Sequence, residues 1–329
     1  MIEMNNKVLI VSFSFEQEAE AFEVLREAGL EPVLLAEKDR EGFTEKDLIN
    51  YWKNLEEKPS GLLMGADILL GREFAEKAAG LKYISLNCAG FDHLDVEAFK
   101  EFGITICNVP RQNFDAVADL AWGLILSVMR KIVEGDKNIR SGHWCDGVAR
   151  GIAVSKKTLG IIGFGAIGQA VARRGTGFDM NIIYDNLVEE KEIGAKYNAE
   201  YVSRERIFKE ADIIISTCPL TDETYHIINA DSIALMKPTA VVINPSRGGV
   251  VDTQALYEAL KNGRIAGAGL DVYEEEPLHE SPLFELNNVV LTPHMGGLAD
   301  REIHNVAMQS AYHMVEMLNG KTTGTEITG

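Results

Sequence analysis

The feature that most constrains this chain is a glycine-rich turn between an apolar run and an amphipathic run. Residues 159–162 are typical of a buried strand, Gly163-Phe164-Gly165-Ala166-Ile167-Gly168 follows directly, and residues 169–174 are helical in pattern. In such a unit the first glycine permits the tight turn, the second lets backbone approach a pyrophosphate, and the third lets helix and strand pack closely. The anion faces the helix N-terminus. This order predicts a parallel α/β sheet that binds a dinucleotide.

An acidic residue at the end of the next predicted strand strengthens this prediction. Asp185 follows the glycine turn at the spacing of about 20 residues at which a carboxylate accepts hydrogen bonds from the adenosine ribose. The same carboxylate would repel a 2′-phosphate. The next three residues, Asn186, Leu187 and Val188, supply no arginine or lysine to neutralise one. The sequence therefore predicts NAD rather than NADP.

Strand-like and helical runs alternate along the chain. Strands are predicted over residues 7–13, 62–70, 82–86 and 104–108, and then over 159–162, 181–184, 212–216, 240–243, 266–270 and 289–291. Helices are predicted over residues 16–28, 113–131 and 299–319, with a polar stretch over 134–151 and a frayed tail over 320–329. This alternation predicts an α/β chain whose parallel sheets are doubly wound.

Length, charge and cysteine content restrict the class of protein. A chain of 329 residues exceeds the roughly 250–300 residues of a single core, so two domains are expected. A formal net charge of -18 disfavours binding to nucleic acid or to anionic membranes. The first residues do not resemble a secretory signal, and no apolar run is long enough to span a bilayer. The scattered cysteines predict reduced thiols in a cytoplasm and no metal site.

Arg247, Glu276 and His294 each follow a predicted strand of the second series. Because the carboxyl ends of parallel strands share the edge where ligands bind, we expect these side chains to converge. Histidine is best matched to proton transfer near neutral pH, which makes His294 the predicted general acid for reduction of a 2-oxo acid. Each of the three could be a surface residue by itself. Their joint position is what indicates a site.

The other two side chains complement a histidine acid. A carboxylate beside an imidazole favours its charged form, and Glu276, which follows Glu274 and Glu275 in an acidic run, fits that role. An arginine fork can pair with a substrate carboxylate and polarise the adjacent carbonyl, which fits Arg247.

Four segments of the chain resemble the D-isomer specific 2-hydroxyacid dehydrogenases, the family of D-3-phosphoglycerate dehydrogenase, hydroxypyruvate reductase, glycerate dehydrogenase and D-lactate dehydrogenase. These segments are residues 163–168, 244–252, 269–277 and 292–297. The resemblance implies an NAD-dependent oxidoreductase that interconverts a small D-2-hydroxy acid and its 2-oxo acid. It implies that Arg247 binds substrate, that the glutamate directly before Pro277 partners the histidine, which selects Glu276, and that His294 is the acid/base. Implied cofactor contacts are Gly163, Gly165, Ala166, Ile167, Gly168, Asp185, Cys218, Pro219, Pro245, Ser246, Asp271, Gly296 and Gly297.

The resemblance also implies an architecture. Two Rossmann-like doubly wound parallel-sheet domains are expected, with an NAD-binding domain at residues 111–297 inserted into a discontinuous substrate-binding domain at 1–110 and 298–329. The loop at residues 87–92 would hold the substrate carboxylate through the backbone N–H groups of Ala89 and Gly90. Members of the family pair through the cofactor domain, so a homodimer is expected.

Two positions depart from the family pattern, and several alternatives stay open. Arg111 stands where relatives often have glycine, and Asp119 where they often have glutamate. One alternative is a non-catalytic NAD-sensing protein like the corepressors that share this fold, some of which keep the three site residues. A formate dehydrogenase is disfavoured, since its relatives carry glutamine in place of Glu276.

The substrate also stays open at this point. Phosphoglycerate, glycerate with hydroxypyruvate, glyoxylate and a bulky apolar substrate are all compatible with the motifs. A phosphorylated substrate would need cations, for which Arg72 and Arg111 are the candidates, although each could equally be a surface ion-pair partner.

Overall fold

The structure is a computed structural model that describes residues 5–35, 43–66 and 68–328, without the side chain of Phe13. In it the chain folds into two units. Unit 1 comprises Met1–Asn113 and Leu298–Gly329, and unit 2 comprises Phe114–Gly297. The bounds expected from the sequence differ from these only at the first junction, at residue 110 instead of 113.

Unit 1 contains a five-stranded sheet in the order β2-β1-β3-β4-β5, in which every neighbouring pair is parallel. Its strands are β1 (Lys7–Val11), β2 (Glu31–Leu34), β3 (Gly61–Met64), β4 (Tyr83–Leu86) and β5 (Thr105–Cys107). Its first helices are α1 (Phe13–Glu16), α2 (Ala19–Glu27), α3 (Glu45–Asn54), α4 (Arg72–Lys77) and α5 (Val96–Glu101). Strand β3 is buried along its length, and β1 and β4 are buried except at their first residues, Lys7 and Tyr83, as expected of a parallel sheet covered by helices on both faces.

Unit 2 contains a seven-stranded parallel sheet in the order β12-β11-β10-β9-β6-β7-β8. Its strands are β6 (Thr158–Ile162), β7 (Asn181–Asp185), β8 (Ala199–Tyr201), β9 (Ile213–Ser216), β10 (Val241–Asn244), β11 (Gly267–Leu270) and β12 (Val289–Leu291). Its helices are α6 (Phe114–Arg130), α7 (Ile132–Arg140), α8 (Ala166–Thr176), α9 (Lys191–Lys196), α10 (Arg204–Glu210), α11 (Ala230–Leu235) and α12 (Thr253–Lys261). The order reverses between β6 and β9, which is the point where doubly wound sheets bind ligands.

Two elements of unit 2 differ from the sequence predictions. The stretch expected to be polar overlaps helix α7, which was not predicted and which follows Lys131 in a left-handed conformation with φ 57°. The sheet also has a seventh strand, β8, beyond the six expected.

The chain returns to unit 1 with helix α13 (Asp300–Leu318), close to the bounds expected from the sequence. The prediction that residues 320–329 form a frayed tail is wrong for those of them that the structure describes. Ile327 donates its backbone N–H to Ile106 O at 2.8 Å, and Asn108 donates to Thr325 O at 3.4 Å. A bridge between Cys107 and Glu326 makes this pairing antiparallel to β5. The tail therefore lies along the edge strand of the sheet.

None of the described helices combines the length and the apolar character that crossing a bilayer requires.

Candidate active site

The glycine turn after β6 has the geometry that the sequence predicted. Gly163 adopts φ +90°, and a Cβ there would lie 2.7 Å from the backbone nitrogen of Cys218. A Cβ on Gly168 would lie 2.3 Å from Gly163 O, so only glycine allows α8 to approach the turn this closely. At Gly165 a Cβ would meet nothing within 4 Å. The backbone before Ala166, the first residue of α8, therefore borders open space that an anionic group can enter.

Asp185 ends β7 beside this turn. Its backbone carbonyl accepts from Gly163 N at 2.9 Å, which ties the end of the strand to the turn. Its carboxylate Oδ2 accepts from Nε of Arg204 at 2.8 Å. Asn186, Leu187 and Val188, the three residues after Asp185, carry no positive charge. The fold supplies one from the first turn of α10.

Other residues expected to contact the cofactor lie at the carboxyl ends of neighbouring strands. Cys218 follows β9 and is 7% exposed, and burial raises the pKa of its thiol to about 11. Pro219 beside it is exposed. After β10, Pro245 is buried and Ser246 donates its Oγ–H to Asn244 Oδ1 at 2.8 Å.

His294 and Glu276 form a hydrogen-bonded pair beyond β12 and β11. The distance from His294 Nδ1 to Glu276 Oε2 is 2.6 Å. The other carboxylate oxygen, Glu276 Oε1, accepts from the backbone N–H of Tyr273 at 2.8 Å. Both carboxylate oxygens are thus engaged, which fixes the plane of the carboxylate and the orientation of the imidazole. Because Nδ1 faces the carboxylate, Nε2 is the ring nitrogen that can act on a substrate.

The pair favours a charged imidazole. The hydrogen bond to Glu276 is the main cause that raises the pKa of His294, and it outweighs the opposing effect of burial. Burial raises the pKa of Glu276, but the hydrogen bond and charge of His294, the Tyr273 N–H and the charge of Arg247 together outweigh it, so the pKa of that carboxyl is lowered. These opposite directions belong to one ion pair.

A buried carboxylate holds the loop that carries His294. Asp271 is 1% exposed, and its Oδ1 accepts from the hydroxyl of Thr292 at 2.6 Å and from Met295 N at 2.9 Å. Its Oδ2 accepts from Gly296 N at 2.8 Å. Between these contacts His294 adopts φ 49°, a left-handed conformation that needs support from its surroundings. The sequence suggested a cofactor contact for Asp271, but its place as the anchor of this loop was missed.

Arg247 lies close enough to His294 and Glu276 to affect the pKa of both. Its backbone carbonyl accepts from Asn244 Nδ2 at 2.9 Å, and its Nη1 donates to Ser246 O at 2.8 Å. A Cβ on the next residue, Gly248, would lie 1.8 Å from the carbonyl carbon of Tyr273. Only glycine therefore lets the segment that carries Arg247 run against the segment that carries Glu276. The structure brings Arg247, Glu276 and His294 together at one sheet edge.

A family model for the NAD binding domain of D-isomer specific 2-hydroxyacid dehydrogenases matches residues 122–296. A glyoxylate reductase of Thermococcus litoralis is 43% identical over 291 residues, which cover 83% of this chain and 88% of that protein. This chain belongs to the D-isomer specific 2-hydroxyacid dehydrogenase family.

Solved structures of this family agree over almost the full length. A glyoxylate reductase from Paecilomyes thermophila superposes with a TM-score of 0.85 at 29% identity and covers 98% of both chains. A D-lactate dehydrogenase from Aquifex aeolicus, complexed with NAD and lactic acid, has a TM-score of 0.85 at 26% identity and covers 98% of this chain and 99% of that one. These findings confirm the predicted family, fold, NAD cofactor and reaction class. The chain is an NAD-dependent dehydrogenase that interconverts 2-hydroxy and 2-oxo acids.

The residues present fit the family's cofactor. The open space at Gly165 and the carboxylate of Asp185 lie at the two positions that a dinucleotide's pyrophosphate and adenosine ribose require. Bound NADH supplies the hydride that reduces the carbonyl carbon of a 2-oxo acid.

This dehydrogenase has a second histidine–glutamate pair, which is separate from the group formed by Arg247, Glu276 and His294. His226 Nε2 hydrogen-bonds Glu274 Oε1, two residues before Glu276, and its ring stacks on Tyr225 with centroids 3.9 Å apart. Glu274 Oε2 also accepts from Thr253 N, at the start of α12, at 3.3 Å.

The residues of unit 1 that were expected to contact substrate lie in its loops. The carbonyl of Ala89 accepts from Asn108 Nδ2 at 2.7 Å, and that of Gly90 from the Cys88 thiol at 3.2 Å, so the loop after β4 is held in shape. Arg72 begins α4 and pairs with Glu101 at 2.7 Å. Arg111 is exposed and adopts φ 63°, a left-handed backbone conformation that glycine adopts at no steric cost. The other departure, Asp119, accepts from Arg174 Nε at 2.7 Å and so connects α6 to α8.

Proposed function

We propose that this dehydrogenase reduces glyoxylate and other small unphosphorylated 2-oxo acids with NADH, with His294 as general acid. The observation that carries the proposal is the pair formed by His294 Nδ1 and Glu276 Oε2 at 2.6 Å, beside Arg247 at the strand ends.

In this proposal His294 donates the proton from Nε2 to the carbonyl oxygen of the 2-oxo acid. The raised pKa keeps the ring protonated when substrate arrives, and the product hydroxyl forms as the imidazole becomes neutral. Glu276 holds the ring orientation throughout and stabilises its charged form. In the reverse direction the neutral ring accepts the hydroxyl proton, so oxidation of the 2-hydroxy acid requires deprotonated His294.

Arg247 binds and polarises the substrate in this proposal. A guanidinium fork can donate two parallel hydrogen bonds to a carboxylate, or bridge the carboxylate and the adjacent carbonyl oxygen. Negative charge that develops on the carbonyl oxygen is stabilised by a fixed cation nearby. Asn244 donates a hydrogen bond to the backbone carbonyl of Arg247, which fixes the position from which the Arg247 side chain extends.

The choice of an unphosphorylated substrate rests on charge. Arg72, a cation suggested for a phosphate, is already paired with Glu101. Arg111, the other cation suggested for a phosphate, is exposed. The curated relative from Thermococcus litoralis is a glyoxylate reductase, which favours glyoxylate over the other candidates.

Unit 1 is the substrate-binding domain and unit 2 the NAD-binding domain in this proposal. The loop after β4 in unit 1 offers the backbone N–H groups of Ala89 and Gly90 to the substrate carboxylate. Its two carbonyl contacts, to Asn108 and Cys88, support a preformed shape.

A homodimer formed through unit 2 is part of the proposal. Helix α7 has no buried residue within the described chain, and Ile132, Val133 and Ile139 on it are exposed. Trp144, just after α7, is 75% exposed. Such apolar side chains are typical of a surface that another protein covers. Sedimentation equilibrium should give twice the chain mass, and Ile139→Asp with Trp144→Asp should shift the mass towards the monomer.

A reducing compartment such as the cytoplasm is proposed as the location. The four cysteines of the chain are free thiols, and Cys107 and Cys218 are buried. Free thiols persist where disulfides are kept reduced.

The decisive experiment measures NADH oxidation with glyoxylate, hydroxypyruvate, pyruvate, 2-oxoisocaproate and 3-phosphohydroxypyruvate in parallel. We expect the highest kcat/KM with glyoxylate or hydroxypyruvate. A preference for 3-phosphohydroxypyruvate would overturn the unphosphorylated assignment. No turnover on any substrate, with NADH binding intact, would favour a non-catalytic sensor.

A further inference from the structure

We propose that Arg204 determines, together with Asp185, how strongly this dehydrogenase discriminates between NADH and NADPH. In this assignment Arg204 holds the Asp185 carboxylate towards the adenosine ribose of NADH, and it is the counter-charge for the 2′-phosphate when NADPH binds. The inference rests on the family's cofactor site and is independent of which 2-oxo acid is reduced.

The pair lies where the adenosine ribose binds in this fold. Asp185 ends the strand that follows the glycine turn, and its backbone carbonyl bonds to Gly163 N at 2.9 Å. The charges of both Asp185 and Arg204 act on the nearby Cys218 thiol, whose backbone nitrogen approaches Gly163. The ion pair is therefore part of the edge that carries the glycine turn.

The geometry of the contact leaves the arginine able to serve a second partner. It uses Nε to reach Asp185 Oδ2 at 2.8 Å, while its Nη groups carry further N–H donors. The carboxylate is 15% exposed and the arginine 38% exposed, so the guanidinium is the more accessible of the two groups. A 2′-phosphate arriving from solvent would meet a cation whose planar fork matches phosphate oxygens.

The two charges have opposite effects on the two cofactors. Asp185 accepts hydrogen bonds from a ribose diol and repels a 2′-phosphate. Arg204 neutralises that repulsion and can itself pair with the phosphate once the carboxylate turns away. A carboxylate with an arginine partner should therefore exclude NADPH less strongly than a lone carboxylate would.

The experiment measures binding of two adenosine nucleotides by calorimetry, without substrate or turnover. Adenosine 2′,5′-bisphosphate and adenosine 5′-monophosphate differ only in the 2′-phosphate, so their Kd ratio reports this contact alone. The variants are Arg204→Met, Asp185→Ala and, as matched control, Arg206→Met. Arg206 lies on the same helix and pairs with Glu200 and Glu210. Thermal melts verify that each variant is folded.

The expected results separate the two residues. Arg204→Met should weaken the bisphosphate about tenfold, the effect of one lost charged hydrogen bond, and the monophosphate less than about fivefold. Asp185→Ala should weaken the monophosphate and tighten the bisphosphate, each about tenfold. Arg206→Met should change neither.

Three results would overturn the proposal. One is equal weakening of both nucleotides by Arg204→Met, which would indicate a structural ion pair only. Another is an effect of Arg206→Met as large as that of Arg204→Met, which would indicate general surface charge. The third is unchanged bisphosphate affinity in Asp185→Ala, which would mean that the released arginine does not reach the phosphate.

Discussion

Two histidine–glutamate pairs in unit 2 use the same building blocks in different places. His294 pairs with Glu276, and His226 pairs with Glu274, two residues earlier in the same acidic run. Both histidines adopt left-handed backbone conformations, with φ of 49° and 48°. The hydrogen bond alone therefore does not mark an active site.

The surroundings of the two pairs differ. His294 uses Nδ1 for the carboxylate, so Nε2 is left for a substrate, and Arg247 lies near enough to affect its pKa. His226 uses Nε2, stacks on Tyr225 and shares its glutamate with the N-terminus of α12. In the proposed mechanism the first pair moves a proton, whereas the second connects a loop to a helix. We attribute this difference to the position of the first pair at the strand ends, beside the cation of Arg247.

The largest expected difference between the pairs is in turnover. His294→Asn should lower kcat for glyoxylate reduction by about 10²–10⁴-fold, the usual contribution of a general acid. His226→Asn should leave kcat within a few-fold, and asparagine tolerates the left-handed backbone at both sites. Steady-state NADH oxidation measures both variants. Equal losses in the two variants would remove the distinction.

Arg247 is the next largest expected effect. Arg247→Lys keeps the charge but loses the fork, so kcat/KM should fall about ten- to a hundredfold, the range for one lost charged hydrogen bond. Arg264→Lys is the control, because Arg264 donates to the carbonyls of Ala234 and Met236 at the end of α11. A normal kcat/KM in Arg247→Lys would mean that a point charge is sufficient at this position.

The carboxylates should differ in their effect on the pH profile. Glu276 raises the pKa of His294, so Glu276→Gln should lower it, and the fall of reductive kcat/KM with rising pH should begin at a lower pH. At neutral pH the rate should fall about tenfold, as for one charged hydrogen bond. Glu274→Gln should leave the profile in place. An unchanged profile in Glu276→Gln would contradict the coupling.

The smallest expected effect is on stability at the second pair. A double-mutant cycle with His226→Asn and Glu274→Gln should give a coupling free energy of about 0.2–1 kcal/mol, as for partly exposed ion pairs. Urea unfolding measures it. A coupling well above this range, or one that appears in kcat, would mean that the pair holds the segment of Glu276 in place.

The sequence predicted the parts of the site that depend on strand ends. The glycine turn fixed where the second sheet begins, and the order of strands after it placed Arg247, Glu276 and His294 at one edge. The family resemblance, not the pattern of charges, distinguished Glu276 from the other glutamates of the run. Their assigned catalytic roles remain predictions.

Contacts between residues far apart in sequence could not be predicted. Arg204 reaches Asp185 because β8 and the turn after it bring α10 back to the end of β7, and β8 is a short strand that the sequence analysis missed. Asp271 anchors the His294 loop by accepting hydrogen bonds from backbone N–H groups. Every residue except proline has such a group, so the sequence does not indicate which of them are bonded.

Some elements were missed for local reasons. Strand β2 includes Pro32 and lies at the edge of its sheet, where proline is tolerated but weakens the strand pattern. Helix α7 has no buried face in the described chain. Its apolar residues therefore do not form the pattern of a helix that packs on a core, by which it could have been predicted. Helix α3 begins with a capping box between Thr44 and Asp47, a signal that was present in the sequence and not used.

The tail beside β5 has a consequence for how the molecule behaves in a crowded solution. An outer strand presents unpaired backbone groups that can recruit a strand from another molecule, which is a common start of aggregation. Here Ile106 donates its N–H to Thr328 Oγ1 at 3.0 Å, and its carbonyl accepts the backbone N–H of Ile327. The backbone groups of Ile106 on this edge are therefore already hydrogen-bonded to the tail. Removal of the residues after α13 would expose the unpaired backbone groups of β5 in unit 1. We expect the truncated protein to precipitate before it loses catalytic activity.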